Sequence, residues 1–139
     1  MRSLCKAEEA RRAGQWREAV VAYREVLAAN PAQRNAANNL AWILATCLDG
    51  SVRDGAEAVR LMEWAKNGAV IWQHAGTLAA ACAEVGDFAA AIEWGQKAQR
   101  MAGGGDDGRW ERWLKGFAEG KAVRESAEGA GDANTGKAT

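Results

Sequence analysis

The chain has 139 residues, which is enough for one domain with its own hydrophobic core and too few for two. Its 18 lysines and arginines balance its 18 aspartates and glutamates, so no overall electric field favours nucleic acid or an anionic membrane as a partner. The longest apolar runs span only a few residues, far short of the roughly 20 needed to cross a bilayer. These features predict a soluble protein with no nucleic-acid binding and no membrane insertion.

Residues 1–9 include acidic side chains and lack the apolar stretch of a secretory signal, which predicts a cytoplasmic location. The three cysteines, Cys5, Cys47 and Cys82, are odd in number, far apart and without a CxxC pair, so a disulfide or zinc framework is not expected. The only histidine, His74, has no second histidine or nearby cysteine with which to bind a metal. We therefore expect reduced, mostly buried cysteines, a structural or surface histidine, and no metal or cofactor.

Apolar residues recur with the period of an α-helix along most of the chain. Glycine, asparagine and proline separate these segments, with Gly14, the pair Asn30 and Pro31, and Gly86 at three of the boundaries. The short connections require neighbouring helices to be antiparallel. The pattern predicts an all-α protein with about seven helices, over residues 2–13, 16–28, 32–47, 54–67, 71–85, 88–101 and 108–119.

Aspartates stand at the predicted starts of three of these helices. Asp54 follows a longer loop and has Glu57 three residues later, which is the spacing of a capping box. Asp87 is suited to cap the sixth helix, and Asp106 or Asp107 to cap the seventh after a glycine-rich connection. The helix starts are therefore encoded locally.

The last predicted helix carries one apolar stripe, because Trp110, Trp113, Leu114 and Phe117 are spaced i, i+3, i+4 and i+7. Such a stripe suits a helix that covers the exposed end of the preceding helices, although it could instead dock another protein. The chain after it is small, polar and rich in glycine, which predicts a disordered tail over residues 121–139.

A pattern of small residues recurs three times. In the first and third copies a small residue is followed 12 positions later by an alanine. Further packing residues lie four and seven positions beyond that alanine. The copies are Ala7, Ala19, Tyr23 and Val26; Ala41, Ala58, Met62 and Ala65; and Ala79, Ala91, Gly95 and Ala98, the middle copy having a longer connection. Such periods indicate stacked helix pairs, because one pair cannot bury its apolar face alone. We expect one domain over residues 1–120, with repeats at about 1–31, 32–68 and 71–101 and a capping helix at 108–119.

This pattern resembles the tetratricopeptide repeat (TPR), a helix-turn-helix unit of about 34 residues. The residues that match are Gly14, Ala19, Tyr23, Pro31, Leu40, Ala41, Leu44, Ala58, Leu78, Ala79, Cys82, Gly86 and Ala91. Lys6 and Gly95 stand where the family carries a leucine and an aromatic residue, and two closing prolines are missing. The resemblance implies an α-solenoid of antiparallel helix pairs, forming a TPR-like superhelix that serves as a scaffold for protein-protein interaction.

In that family the first helix of each pair lines a concave groove. The middle repeat would place Asn35, Asn38, Asn39 and Trp42 there, where amides can pair with a peptide backbone and the indole offers flat apolar area. The flanking repeats would add Glu8, Arg11, Arg12, Gln73, Thr77 and Glu84. The competing interpretation is that the asparagines form hydrogen bonds with a neighbouring helix and that Trp42 belongs to the core.

These features predict a module that binds a protein or peptide partner in the groove. The sequence contains no GxxxxGKS, HExxH or GxSxG motif, so we expect no enzymatic activity. One alternative is a structural module that forms a weak homo-oligomer through tryptophans such as Trp64 and Trp94, which we expect to be partly exposed. Another is a regulatory domain that works beside a larger bacterial enzyme.

Overall fold

A computed structural model describes residues 2–66, 71–103 and 108–124, and the regular secondary structure of these residues is entirely α-helical, as predicted. The helices are α1 (Arg2–Arg12), α2 (Trp16–Ala29), α3 (Arg34–Thr46), α4 (Gly55–Leu61), α5 (Glu63–Lys66), α6 (Trp72–Glu84), α7 (Phe88–Ala102) and α8 (Arg109–Ala118). The predictions made for Asn67, for Asp106 and Asp107 as caps, and for residues 125–139 lie outside the described residues.

The observed helix bounds agree with the predicted ones to within two residues wherever both ends are described. One predicted helix, over residues 54–67, is divided at Met62 into α4 and α5. The Met62 N–H donates to the carbonyl of Val59 at 3.1 Å, and the Ala65 N–H donates to the carbonyl of Met62 at 3.0 Å. Both bonds reach back three residues instead of four, which tightens the turn in the manner of a 3₁₀-helix. The described residues therefore form eight helices where seven were predicted.

Two of the predicted aspartate caps are present. The Asp54 carboxylate accepts a hydrogen bond from the Glu57 N–H at 3.1 Å, and the Asp87 carboxylate accepts one from the Ala90 N–H, also at 3.1 Å. The Glu57 side chain does not complete a capping box, because it is paired with Arg24 of α2 at 2.6 Å. The turn glycine of the first pair, Gly14, has a φ of 76°, in the left-handed region that glycine adopts without strain.

The helices pack mainly against their neighbours along the chain. α1 packs on α2, α2 on α3, α3 on α4, α6 on α7 and α7 on α8, while α6 also contacts both α3 and α4. The alanines that define the repeated pattern are all completely buried in these contacts: Ala7, Ala19, Ala41, Ala58, Ala79 and Ala91. A larger side chain at such a position would overpack the crossing, at a cost of about 1–3 kcal/mol.

The two central helices are buried on all sides over most of their length. Every residue from 36 to 47 in and after α3 is buried, and so is every residue from 75 to 83 in α6. A helix that is buried all round must be covered on each of its faces. For α3 three of the neighbours are α2, α4 and α6, and α8 is the fourth, as the tryptophan contacts described below demonstrate.

The chain turns back after α8 in a Schellman motif. Gly120 has a φ of 77°, its N–H donates to the Phe117 carbonyl at 3.0 Å, and the Lys121 N–H donates to the Gly116 carbonyl at 2.8 Å. Val123 is then only 6% exposed, so the predicted boundary at residue 121 is too early. A buried apolar side chain holds the chain against the helices at least to residue 124, which is where the described part ends.

Candidate functional site

Four of the predicted groove residues meet in a polar network between α1 and α3. The Glu8 carboxylate accepts a hydrogen bond from the Asn39 amide at 2.8 Å and is paired with Arg11 at 3.1 Å. Arg12 lies at 3.7 Å from the same carboxylate. Arg11 is only 2% exposed, and Asn39 is buried, so this part of the predicted groove joins two helices to each other. Asn39 therefore forms a hydrogen bond with a neighbouring helix, as the competing interpretation stated.

Tyr23 of α2 is the member of this network that sequence reasoning missed, because its position in the repeat pattern suggested only packing. Its hydroxyl donates to the Glu8 carboxylate at 3.2 Å and accepts from the Arg11 guanidinium at 3.2 Å. Burial, and then the negative charge of Glu8, raise the pKa of Tyr23 to about 12. The hydroxyl is therefore protonated at neutral pH and able to donate.

A cluster of tryptophans covers the central residue of the predicted groove. Trp42 of α3 stacks on Trp113 of α8, with ring centroids 5.4 Å apart and an interplanar angle of 28°. Trp110 contacts Trp113 edge to face at 5.0 Å, and also contacts Trp72, the first residue of α6, at 6.0 Å. Trp42 is only 2% exposed. The predicted anchor for a partner is thus covered by helix α8 of the same chain.

The apolar stripe of α8 is divided between two surfaces. Leu114 and Phe117 pack on α7 at Gly95, where an added Cβ atom would lie 2.9 Å from Leu114 and 3.6 Å from Phe117. Trp110 and Trp113 reach across to α6 and α3. Helix α8 thus packs on α7, the helix that precedes it, and its contact with α3 was not predicted.

The remaining predicted residues on α3 and α6 differ in accessibility. Asn35 is exposed and Gln73 is half-buried, whereas Asn38 and Thr77 are both 0% exposed. Neither polar atom of the Asn38 amide has a hydrogen-bond partner, and the Thr77 hydroxyl has none. We use the term α3–α6 face for the surface that carries Asn35, Asn38 and Trp42 of α3 with Trp72 and Gln73 of α6.

Glu84, at the end of α6, is held by two arginines. One carboxylate oxygen lies 2.7 Å from Nη1 of Arg124, and the other lies 3.4 Å from Nε of Arg53. Arg124 follows α8 in the chain, so α8 and its extension are attached near both ends of α6, at Trp72 and at Glu84. Helix α8 therefore packs on α7, reaches α3 and α6 through its two tryptophans, and is followed by Arg124 at the far end of α6.

A second aromatic group lies at the start of α6. The Trp64 ring contacts His74 edge to face at 4.8 Å, and the guanidinium of Arg34 lies 4.8 Å from the centre of the same indole. Burial, and then the charge of Arg34, lower the pKa of His74. Trp64 and Trp94 are both partly exposed, as predicted, and Nζ of Lys97 lies 5.1 Å from the centre of the Trp94 ring.

The described residues contain no cluster of three potential metal ligands among histidine, cysteine, aspartate and glutamate side chains. Cys47 and Cys82 are buried free thiols, whereas Cys5 is exposed. Within residues 2–66, 71–103 and 108–124, none of the helices has the length and apolar character that crossing a membrane requires. Comparison of the chain with protein-family models, with curated proteins and with solved structures found no match.

Proposed function

We propose that this chain is a protein-interaction module rather than an enzyme, and that its α3–α6 face holds a helical segment of a partner protein. The proposal includes a TPR-like solenoid, in which the three helix pairs stack in line and α8 closes the stack. Support comes from the order of helix contacts, from the buried alanines at the crossings and from the resemblance of the repeated pattern.

One observation carries the functional part of the proposal. The α3–α6 face accepts an amphipathic helix, because α8 lies on it with Trp113 stacked on Trp42 and Trp110 against Trp72. Flat aromatic contacts of this kind are typical of the centres of protein interfaces, where tryptophan contributes much of the binding energy. A partner helix of similar shape could use the same contacts.

Affinity capture with mass spectrometry tests this function. Asn35→Ala and Gln73→Ala change accessible residues of the α3–α6 face, so both variants should fold normally. The matched control is Gln96→Ala, which makes the same change as Gln73→Ala at an exposed position of α7. We expect captured partners to be reduced at least fivefold with the two face variants and unchanged with the control. Equal capture by all three variants would refute binding at this face.

A second candidate function is self-association, and it rests on a different surface. A groove of about 670 Å³ lies between α1 and α2, and Val21 on its wall is 55% exposed. Its lining carries charges of both signs, Lys6 and Arg17 with Glu9, Glu18 and Glu25, around the apolar side chains of Ala10, Val21 and Ala22. An apolar patch with a charged rim is typical of a surface on which two copies meet. A molar mass by light scattering that stays monomeric up to high concentration would exclude this candidate, whereas a dimer lost in Val21→Ser would support it.

A further inference from the structure

We propose that α8 is an exchangeable occupant of the α3–α6 face, and that it gives way to a partner helix with two aromatic residues at i and i+3 and a cation beyond its last turn. This inference rests on the proposed function and adds to it the chemistry of the partner and the form of its regulation. Three features of the structure support it.

The first is that α8 is a short helix held in place by contacts with other helices. Helix α8 has 10 residues, and isolated helices shorter than about 12–15 residues are marginal in water. Its stability therefore comes from docking, on α7 through Leu114 and Phe117 and on the α3–α6 face through Trp110 and Trp113. A helix that is folded only while it is docked can be replaced by another helix that makes the same contacts.

The second is a pair of buried polar side chains, on α3 and α6, that have no hydrogen-bond partner. Asn38 lies one helical turn before Trp42 on the same side of α3, and both polar atoms of its amide are buried without a hydrogen-bond partner. The Thr77 hydroxyl of α6 is also buried and unpaired. Burying an amide without hydrogen bonds is unfavourable, so a donor or acceptor brought within reach of Asn38 would be stabilising. A partner that brings a polar side chain to Asn38 would gain the hydrogen bonds that are missing here.

The third is the ion pair beyond α8. Arg124 reaches one oxygen of the Glu84 carboxylate at 2.7 Å, while Arg53 pairs with the other oxygen. Displacing α8 and its extension removes Arg124 from this carboxylate, which is only partly exposed. A competing helix needs a lysine or arginine in the corresponding place to restore the pair.

A peptide with the sequence of residues 108–124 provides the probe, because it carries every contact group of α8. In full-length protein with Trp113→Ala, the intramolecular helix is a weaker competitor, and the apparent Kd for the peptide improves in proportion to the uncovered fraction. We expect fluorescence anisotropy to report at least tenfold tighter binding of the labelled peptide by Trp113→Ala than by the wild-type chain. Lys115→Ala changes an exposed residue of α8 and should bind the peptide as the wild type does.

The same peptide with Arg124→Ala should bind several-fold more weakly, because Glu84 then keeps only the longer ion pair with Arg53. Equal binding by wild type and Trp113→Ala, or no binding by a folded Trp113→Ala, would overturn the proposal. Far-UV circular dichroism checks the fold, and Trp113→Leu is the second variant. If both variants are unfolded, α8 is an obligatory part of the core and the proposal is wrong. Peptide exchange without any captured partner protein would count against the proposed function alone.

Discussion

Asn38 and Asn39 are adjacent asparagines in α3 whose replacement by alanine should have different effects on stability. Both are buried, at 0% and 4% exposure. The Asn39 amide donates to the Glu8 carboxylate at 2.8 Å, whereas neither polar atom of Asn38 has a partner. Because the two substitutions remove the same atoms from the same helix, the changes in helix propensity and in side-chain packing nearly cancel in the comparison.

The difference between the two variants therefore reports hydrogen bonding. A hydrogen bond to a charged acceptor contributes about 1.5–3 kcal/mol, and Asn39→Ala loses it while leaving the Glu8 carboxylate with one donor fewer. A buried unpaired polar group costs about 1–3 kcal/mol, and Asn38→Ala removes that cost. The Asn39 side-chain oxygen is also unpaired, which offsets part of the difference. We expect Asn39→Ala to be less stable than Asn38→Ala by about 2 kcal/mol or more.

Urea unfolding followed by far-UV circular dichroism measures this difference directly, provided that both variants give the same slope with denaturant. In thermal unfolding it corresponds to a Tm difference of roughly 8 °C for a chain of this size. Equal stabilities, or an Asn38→Ala variant that is the less stable of the two, would refute the reasoning. Either result would mean that Asn38 makes favourable contacts that its buried, unpaired amide does not suggest.

Further predictions concern two helix glycines, Tyr23 and His74. Gly95→Ala should be neutral or destabilising by about 1 kcal/mol, because its Cβ would lie 2.9 Å from Cδ2 of Leu114 and push that side chain off α7, which offsets the gain in helix propensity. Gly116→Ala, at a helix position where the nearest atoms are 3.7 Å away, should instead stabilise by about 0.5–1 kcal/mol, and thermal unfolding distinguishes the two. Tyr23 is the only tyrosine, and its pKa is raised to about 12, so the unfolded chain ionises at a lower pH than the folded chain. Stability should therefore fall by up to about 3 kcal/mol as the pH rises from 10 to 12, and absorbance at about 295 nm should show the phenol titrating only near that upper limit. Burial lowers the pKa of His74, so its contribution to stability is complete above pH 6.5 and is lost as the pH falls below that value; His74→Gln should remove this part of the pH dependence of urea unfolding.

The candidate site could be predicted from the sequence only in part. The resemblance to the TPR family implied that Glu8, Arg11 and Asn39 line one groove, and the structure brings them together in contacts with each other. It gave no sign that Tyr23 completes their network, because a tyrosine in an apolar stripe has the same spacing whether or not its hydroxyl is bonded. Nor could spacing distinguish Asn38 from Asn39, which differ only in whether another helix offers an acceptor.

The helices themselves were determined by the sequence alone, because their causes are local. The period of apolar residues, the Asp54 and Asp87 caps and the left-handed Gly14 all act within a few residues along the chain. What lies over Trp42 was decided only by the tertiary structure. Its stacking with Trp113 joins residues that are far apart in the sequence, so it depends on how α8 crosses α7 at Gly95. Packing between distant segments is set by the shapes of all the intervening helices, which no local pattern contains.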